Sequence, residues 1–214
     1  MTALKQKDFV ELDYTGKLKD SGEVFDTTLE TEAKKANVYN KDWNYKPVII
    51  CIGEGHLIKG IDDFLVGKES EKEYDIDIPS EDAFGKKDTK LLKLVPLNLF
   101  KKQNIQPFVG LQVNIDNMTG VIRSVTGGRV IVDFNHPLAG HDISYHLSIK
   151  RIVTEKKEKL EALMLVMLNK KPKEIIIEEN KIVITTEPRL ADEFQKVLKE
   201  KITELIGITD VDFK

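Results

Sequence analysis

Apolar and polar residues alternate from Asp8 to Leu18, with Phe9, Val10, Leu12 and Tyr14 as the larger side chains, which predicts a half-buried strand. Asp20-Ser21-Gly22 reads as a turn, and EVFDTT from Glu23 resumes as a second strand antiparallel to the first. Glu30 to Lys46 is polar without a clean period and predicts an irregular loop with a helical turn, tied down by Val38, Tyr39, Trp43 and Tyr45. The run Val48-Ile49-Ile50-Cys51-Ile52 is too short for a helix and rich in β-branched residues, the pattern of a buried strand. Gly53 and Gly55 break it. Leu57, Ile58, Ile61, Phe64 and Leu65 then recur at helical spacing, with Lys59, Asp62 and Asp63 on the other side, so one short amphipathic helix follows. Lys72 to Pro79 alternates again and predicts another strand.

Farther on, LLKLVPLNLF (Leu91 to Phe100) crowds large apolar residues around Pro96, and Leu111 to Ile115 alternates. Val121 to Thr126 and Arg129 to Phe134 flank Gly127-Gly128, a hairpin signal, so an all-β segment is expected. Thr154 is placed to cap a helix running to about Lys170, with Leu160, Leu163, Met164, Met167 and Leu168 inward and Pro172 ending it. Glu174 to Glu178 and Lys181 to Thr186 predict a hairpin across Glu179-Asn180. A second helix carries Leu190, Phe194, Val197, Leu198, Ile202, Leu205 and Ile206, Gly207 suits its C-cap, and Ile208 to Phe213 reads as a closing strand. An α-β-β-α-β unit of this size is marginal alone, so it is expected to dock on a second copy or on the other lobes.

The chain has 214 residues, 41% hydrophobic and 32% charged, enough for one large or two or three small domains with real cores. A net charge of −3 gives no bulk electrostatic case for nucleic acid or a membrane surface. Cys51 is the single cysteine, lies in the buried-strand run and excludes an internal disulfide framework, which points to a reducing compartment. With no signal-peptide segment and no long apolar run, a soluble cytoplasmic protein is expected.

Tyr14 in the first strand, Gly22-Glu23-Val24-Phe25-Asp26, Pro47 with Gly53, Leu57-Ile58-Lys59-Gly60-Ile61, and Asp82-Ala83-Phe84-Gly85 occur in an order that resembles the FK506-binding-protein (FKBP) family of peptidyl-prolyl isomerases. The resemblance covers Asp8 to Gly85 and returns at Asp142 to Val153, where ISYHLSIKRIV is similar to the family's last strand. Residues 86–141 resemble the insert-in-flap domain of SlyD-type members, and residues 154–214 the extra C-terminal domain of long archaeal members. The implied fold is α+β: an FKBP-like antiparallel sheet wrapped on a short helix over 1–85 and 142–153, an all-β insert over 86–141, and a C-terminal α-β-β-α-β domain over 154–214. The resemblance implies that the insert grips unfolded chains, with Leu94, Val95, Leu97, Phe100 and Phe108 as candidate contacts. An ordinary decorative insertion is the alternative.

Isomerisation needs no nucleophile, metal or cofactor. The barrier to amide rotation is about 18–20 kcal/mol because the twisted state loses resonance. The twisted amide is also less charge-separated, so a water-poor apolar basin disfavours the planar ground state, and a few fixed polar groups can hold the twisted carbonyl. Candidate pocket residues are Tyr14, Phe25, Val48, Leu57, Ile58, Ile61, Phe84 and Tyr145. The family pattern implies that Phe25 and Tyr145 wall the pocket, Ile61 forms its floor and Leu57-Ile58 its rim, with the Ile58 N–H donating to the substrate carbonyl. Asp26 is the implied carboxylate at the edge, with Tyr14 as its hydrogen-bond partner; a local turn role for Asp26 is the plain reading. Ile61 replaces a frequent Trp, Val48 a frequent Phe, and Phe84 a frequent Tyr, which implies a wider, more permissive pocket.

His56, His136, His141 and His146 lack Cys or Glu partners at ligand spacing, so no metal is expected. Gly53-x-Gly55 lacks the third glycine of a dinucleotide fingerprint, so no cofactor is expected either. The expected partners are unfolded or proline-containing polypeptides, and a second copy through the C-terminal unit. A non-catalytic holdase and a scaffold built around the C-terminal unit are the competing classes.

Overall fold

The computed structural model describes residues 2–178 and 181–214. The chain forms two compact units, Met1–Ile78 with Ile143–Lys214 and Pro79–Asp142. The first unit opens on β1 (Phe9–Leu18), β2 (Val24–Thr27), α1 (Glu30–Lys35), β3 (Val48–Cys51), α2 (Lys59–Leu65) and β4 (Glu73–Ile78). The N-terminal half of β1 pairs with β3, from Phe9 opposite Cys51 to Leu12 opposite Val48, and its C-terminal half pairs with β2. The β1–β2 register slips between Gly16 and Lys17, which leaves Phe25 as an extra residue in β2, a β-bulge. Gly60 lets α2 come close to β4, since a Cβ there would lie 2.5 Å from Ile78 Cγ2. The helix buries Ile61 and Leu65.

The second unit holds β5 (Leu92–Pro96), α3 (Leu97–Lys102), β6 (Gln112–Ile115), β7 (Met118–Thr126) and β8 (Arg129–Asp133), with sheet order β5-β8-β7-β6. Thr126 pairs with Arg129 across Gly127-Gly128, whose φ angles of 56° and 78° suit a two-residue hairpin turn and disfavour any residue with a Cβ. Its core gathers Phe100, Val113, Ile122, Val130 and Val132. The expectation of an all-β insert is corrected by α3. Pro96 has extended backbone at the start of that helix, and Leu97 and Phe100 pack on one core. An odd spacing of three would send them to opposite faces of a strand but stacks them on one face of a helix.

The first unit resumes with β9 (Ile143–Val153), α4 (Lys156–Leu168), β10 (Glu174–Ile177), β11 (Lys181–Thr185), α5 (Asp192–Ile206) and β12 (Asp210–Phe213). Strand β9 enters between β1 and β4, giving the order β2-β1-β9-β4 with β3 on β1. The smaller sheet runs β10-β11-β12, its last pair parallel because α5 makes the crossover. Two expectations about α4 are corrected. Its N-cap is Glu155, without a side-chain cap bond, because β9 runs to Val153 and leaves Thr154 outside the first turn. It ends on Asn169 in the left-handed conformation, three residues before Pro172. The expected Glu179-Asn180 turn lies outside the described residues.

Leu160 and Met164 of α4 join Ile182, Ile184, Leu198, Ile202 and Phe213 in one core, while Leu163 joins Phe9, Cys51, Val153 and Leu205 in another. That second core binds the C-terminal elements to the β1–β9 sheet. Lys201 to Glu54 at 2.6 Å and Lys7 to Glu204 at 2.9 Å add ion pairs at its edge, where solvent limits their worth. Burial there pushes the Cys51 thiol up to about 12, which suits a packing role and not a nucleophile. Among the described residues, no helix is long and apolar enough to cross a membrane.

Candidate functional site

The aromatic cluster is built around an absence of side chain. Gly16 in β1 lies directly opposite Asp26 in β2 and Tyr145 in β9, and such partners share a sheet face. A Cβ at Gly16 would stand 2.7 Å from Phe25 Cζ and 2.8 Å from Tyr145 Cζ. The two rings therefore occupy the space a side chain would fill, and they meet edge to face at 5.8 Å and 84°. Tyr14, two residues along β1 and so on the same face, meets Tyr145 at 5.8 Å and 62°. Its hydroxyl donates to Asp26 Oδ2 at 2.9 Å. Phe25 and Asp26 are consecutive, and a regular strand would turn them to opposite faces. The bulge lets both face this cluster.

The expected floor and rim residues lie on β3, the β3–α2 connection and α2. Ile61 is 1% exposed, and Leu57, Ile58 and Val48 are half-buried. Ile58 is extended, and its carbonyl accepts from the Ile61 and Asp62 N–H groups at 3.0 and 3.2 Å, which sets its orientation ahead of α2. Two side chains hold the turn. His56 Nδ1 accepts the Cys51 N–H at 3.0 Å, and Asp62 Oδ2 accepts the Gly55 N–H at 3.0 Å. Gly16, His56 and Asp62 escaped the reading by residue pattern. Only Gly16 left a signal there, a glycine inside a strand, which marks a bulge or close approach.

The remaining candidates belong to the second unit. Phe84 stacks on His136 with centroids 4.7 Å apart and rings nearly parallel. Leu94 and Phe108 are exposed, at 57% and 60%, Val95 and Leu97 are half-buried, and Phe100 is a core residue at 4%.

The family model described as FKBP-type peptidyl-prolyl cis-trans isomerase matches residues 1–98, and the FKBP26 IF-domain model matches residues 93–138. The short-type peptidyl-prolyl cis-trans isomerase of Methanocaldococcus jannaschii is 30% identical over 149 residues, 70% of this chain and 94% of that protein. The chain belongs to the FKBP-type peptidyl-prolyl cis-trans isomerase family. SlyD of Yersinia pestis is 29% identical over 119 residues, covering 54% of this chain and 60% of SlyD. The FKBP-type 16 kDa isomerase of Escherichia coli is 27% identical over 114 residues, 51% of this chain and 76% of that protein.

In this FKBP-type isomerase the two tyrosines stay protonated. Burial raises the Tyr14 pKa far above its ordinary value, and the charge and hydrogen bond of Asp26 raise it further. Burial and then Asp26 raise that of Tyr145 as well. The stability of a group raised in this way is complete below its unfolded value of about 10 and is lost only as pH climbs through the folded value. His56 behaves oppositely. Burial lowers its pKa, and protonation of Nδ1 would cost the bond from Cys51, so its contribution is full above about 6.5 and lost as pH falls through the folded value. The pH profile of kcat/KM is therefore expected to be flat from neutral to about pH 9.5 and to fall on the acid side. His56→Asn, which cannot protonate, should remove the acid limb. A profile with an alkaline limb near pH 9 would contradict the raised pKa values of Tyr14 and Tyr145.

Proposed function

We propose that the chain rotates Xaa-Pro bonds of unfolded polypeptides in the basin walled by Tyr14, Phe25 and Tyr145, floored by Ile61 and rimmed by Val48, Leu57 and Ile58. The observation that carries this reading is the hydrogen-bonded pair Tyr14–Asp26 standing among apolar rings. The proline ring enters beside Gly16. The apolar walls keep water from the planar amide, whose separated charge loses its solvation, and so lower the cost of twisting. Asp26 is held as an acceptor by Tyr14, and the Ile58 N–H is the donor to the substrate carbonyl. Each 1.36 kcal/mol removed from the barrier multiplies the rate by about ten.

In this reading residues 1–85 with 142–153 form the catalytic domain, 86–141 the gripping insert and 154–214 the C-terminal domain. The grip is supported by apolar side chains that the insert leaves in water, Leu92, Leu94, Leu99, Phe108, Val109 and Met118. Beside them is a cleft of about 510 Å³ lined by Val95, Leu99, Phe100, Ile105 and Leu111. Exchange NMR on a short Xaa-Pro peptide tests the catalytic part. Faster cis/trans exchange at a small molar fraction of protein is expected, and binding without faster exchange would leave a holdase.

The C-terminal domain pairs with a second copy in the same reading, because Ile176, Phe194 and Val197 stay exposed on β10 and α5. Sedimentation is expected to give twice the chain mass, and Phe194→Glu with Val197→Glu a single chain. A wild-type monomer at micromolar concentration would refute the pairing.

A further inference from the structure

The second half of helix α4, Ala162 to Leu168, is apolar all round, the pattern of a helix covered from more than one side. Leu160 and Met164 face one core and Leu163 another, yet Leu165 and Val166 remain 38% and 43% exposed. That third side forms one wall of a groove of about 470 Å³, within the range of about 300–1,000 Å³ usual for ligand clefts. The opposite wall includes Val48, Leu57 and Tyr14, all three of which belong to the proline basin. The groove thus shares three residues with the proposed basin.

Its charge is balanced within the protein. Arg151 donates from Nε to Glu11 and from both terminal nitrogens to Glu158 at 2.9 Å, so the guanidinium and two of the carboxylates lining the groove are committed to one another. Glu161, Lys46 and Lys171 also line it. Strand β3 contributes Val48, Ile49 and Ile50, and among the described residues it pairs only with β1. An unpaired strand edge offers backbone hydrogen bonds to an extended chain. Apolar walls, balanced charge and a strand edge suit an extended aliphatic peptide segment, and none of them selects a charged ligand.

We infer that the groove between α4 and β3 receives the aliphatic segment of the substrate that flanks its proline, so that the C-terminal domain sets substrate preference. This rests on the isomerase reading above and adds a subsite to it. In the full chain, kcat/KM is measured for a short Xaa-Pro peptide and for the same peptide lengthened by aliphatic residues on one side or the other. Wild type should favour one of the long peptides. Leu165→Glu with Val166→Glu, both at exposed positions, should lower the long-to-short ratio about tenfold, equal to about 1.4 kcal/mol. Methyl signals of Leu165 and Val166 should shift with the long peptide and not with the short one. A ratio unchanged in the variant, with wild type active on both peptides, overturns the groove alone. A wild type that leaves the short peptide at its uncatalysed rate overturns the isomerase reading, and the groove with it.

Discussion

Gly16→Ala is expected to lower kcat/KM for a short Xaa-Pro peptide by about ten- to a hundredfold without unfolding the protein. The added methyl would press within 3 Å of both the Phe25 and Tyr145 rings, which already meet edge to face. Overpacking of this kind costs about 1–3 kcal/mol of stability, and it is relieved by displacing the rings on which the expected loss of activity rests. Tyr145 is 5% exposed and pinned by pairing with both β1 and β4, so its ring has little room to retreat. Phe25 sits on the bulge and will move first. Far-UV dichroism should be unchanged while the near-UV aromatic signal changes. Full activity in Gly16→Ala would mean that Phe25 and Tyr145 do not wall the substrate site.

Removal of the insert is expected to leave peptide isomerisation nearly intact and to cut the acceleration of proline-limited protein refolding by about a hundredfold, the scale lost when two linked binding sites are reduced to one. Two cuts are available. Gly140 N–H donates to the Gly85 carbonyl at 2.8 Å, so a tight turn joining these residues removes 86–139 and keeps Phe84. Ile78 and Ile143 are paired partners in β4 and β9, so an Asn-Gly turn between them removes 79–142, Phe84 included. If the first variant keeps peptide activity and the second loses it, Phe84 is part of the proline site. If both lose peptide and refolding activity equally, the insert is not a separate grip.

Much of this architecture was legible because it is local. The two-residue Gly127-Gly128 turn, the short strand Val48–Cys51 before a Gly break, and the left-handed Gly207 after α5 each follow from residues a few positions apart. The insert helix α3 was not legible, because seven apolar side chains around one proline satisfy a strand or a helix equally until the core chooses a face. The cap of α4 was misplaced for a related reason. Thr154 is a good N-cap residue by type, but the long β9 ladder sets where the helix can start.

The site divides in the same way. Tyr14, Phe25, Asp26 and Tyr145 entered through a family pattern and not through periodicity, which would set Phe25 and Asp26 on opposite faces. What brings them together is a register slip between two strands and a missing side chain between three.

By itself the sequence determined most of the strands and helices outside α3, because those depend on spacing within a single element. Only the tertiary structure decided that Gly16 is the gap the two rings fill, that His56 and Asp62 hold the β3–α2 turn, and that Leu165 and Val166 of α4 share a groove with Tyr14, Val48 and Leu57. Each of these is a meeting of residues far apart in the chain, set by strand register and helix docking, and no local period carries that information.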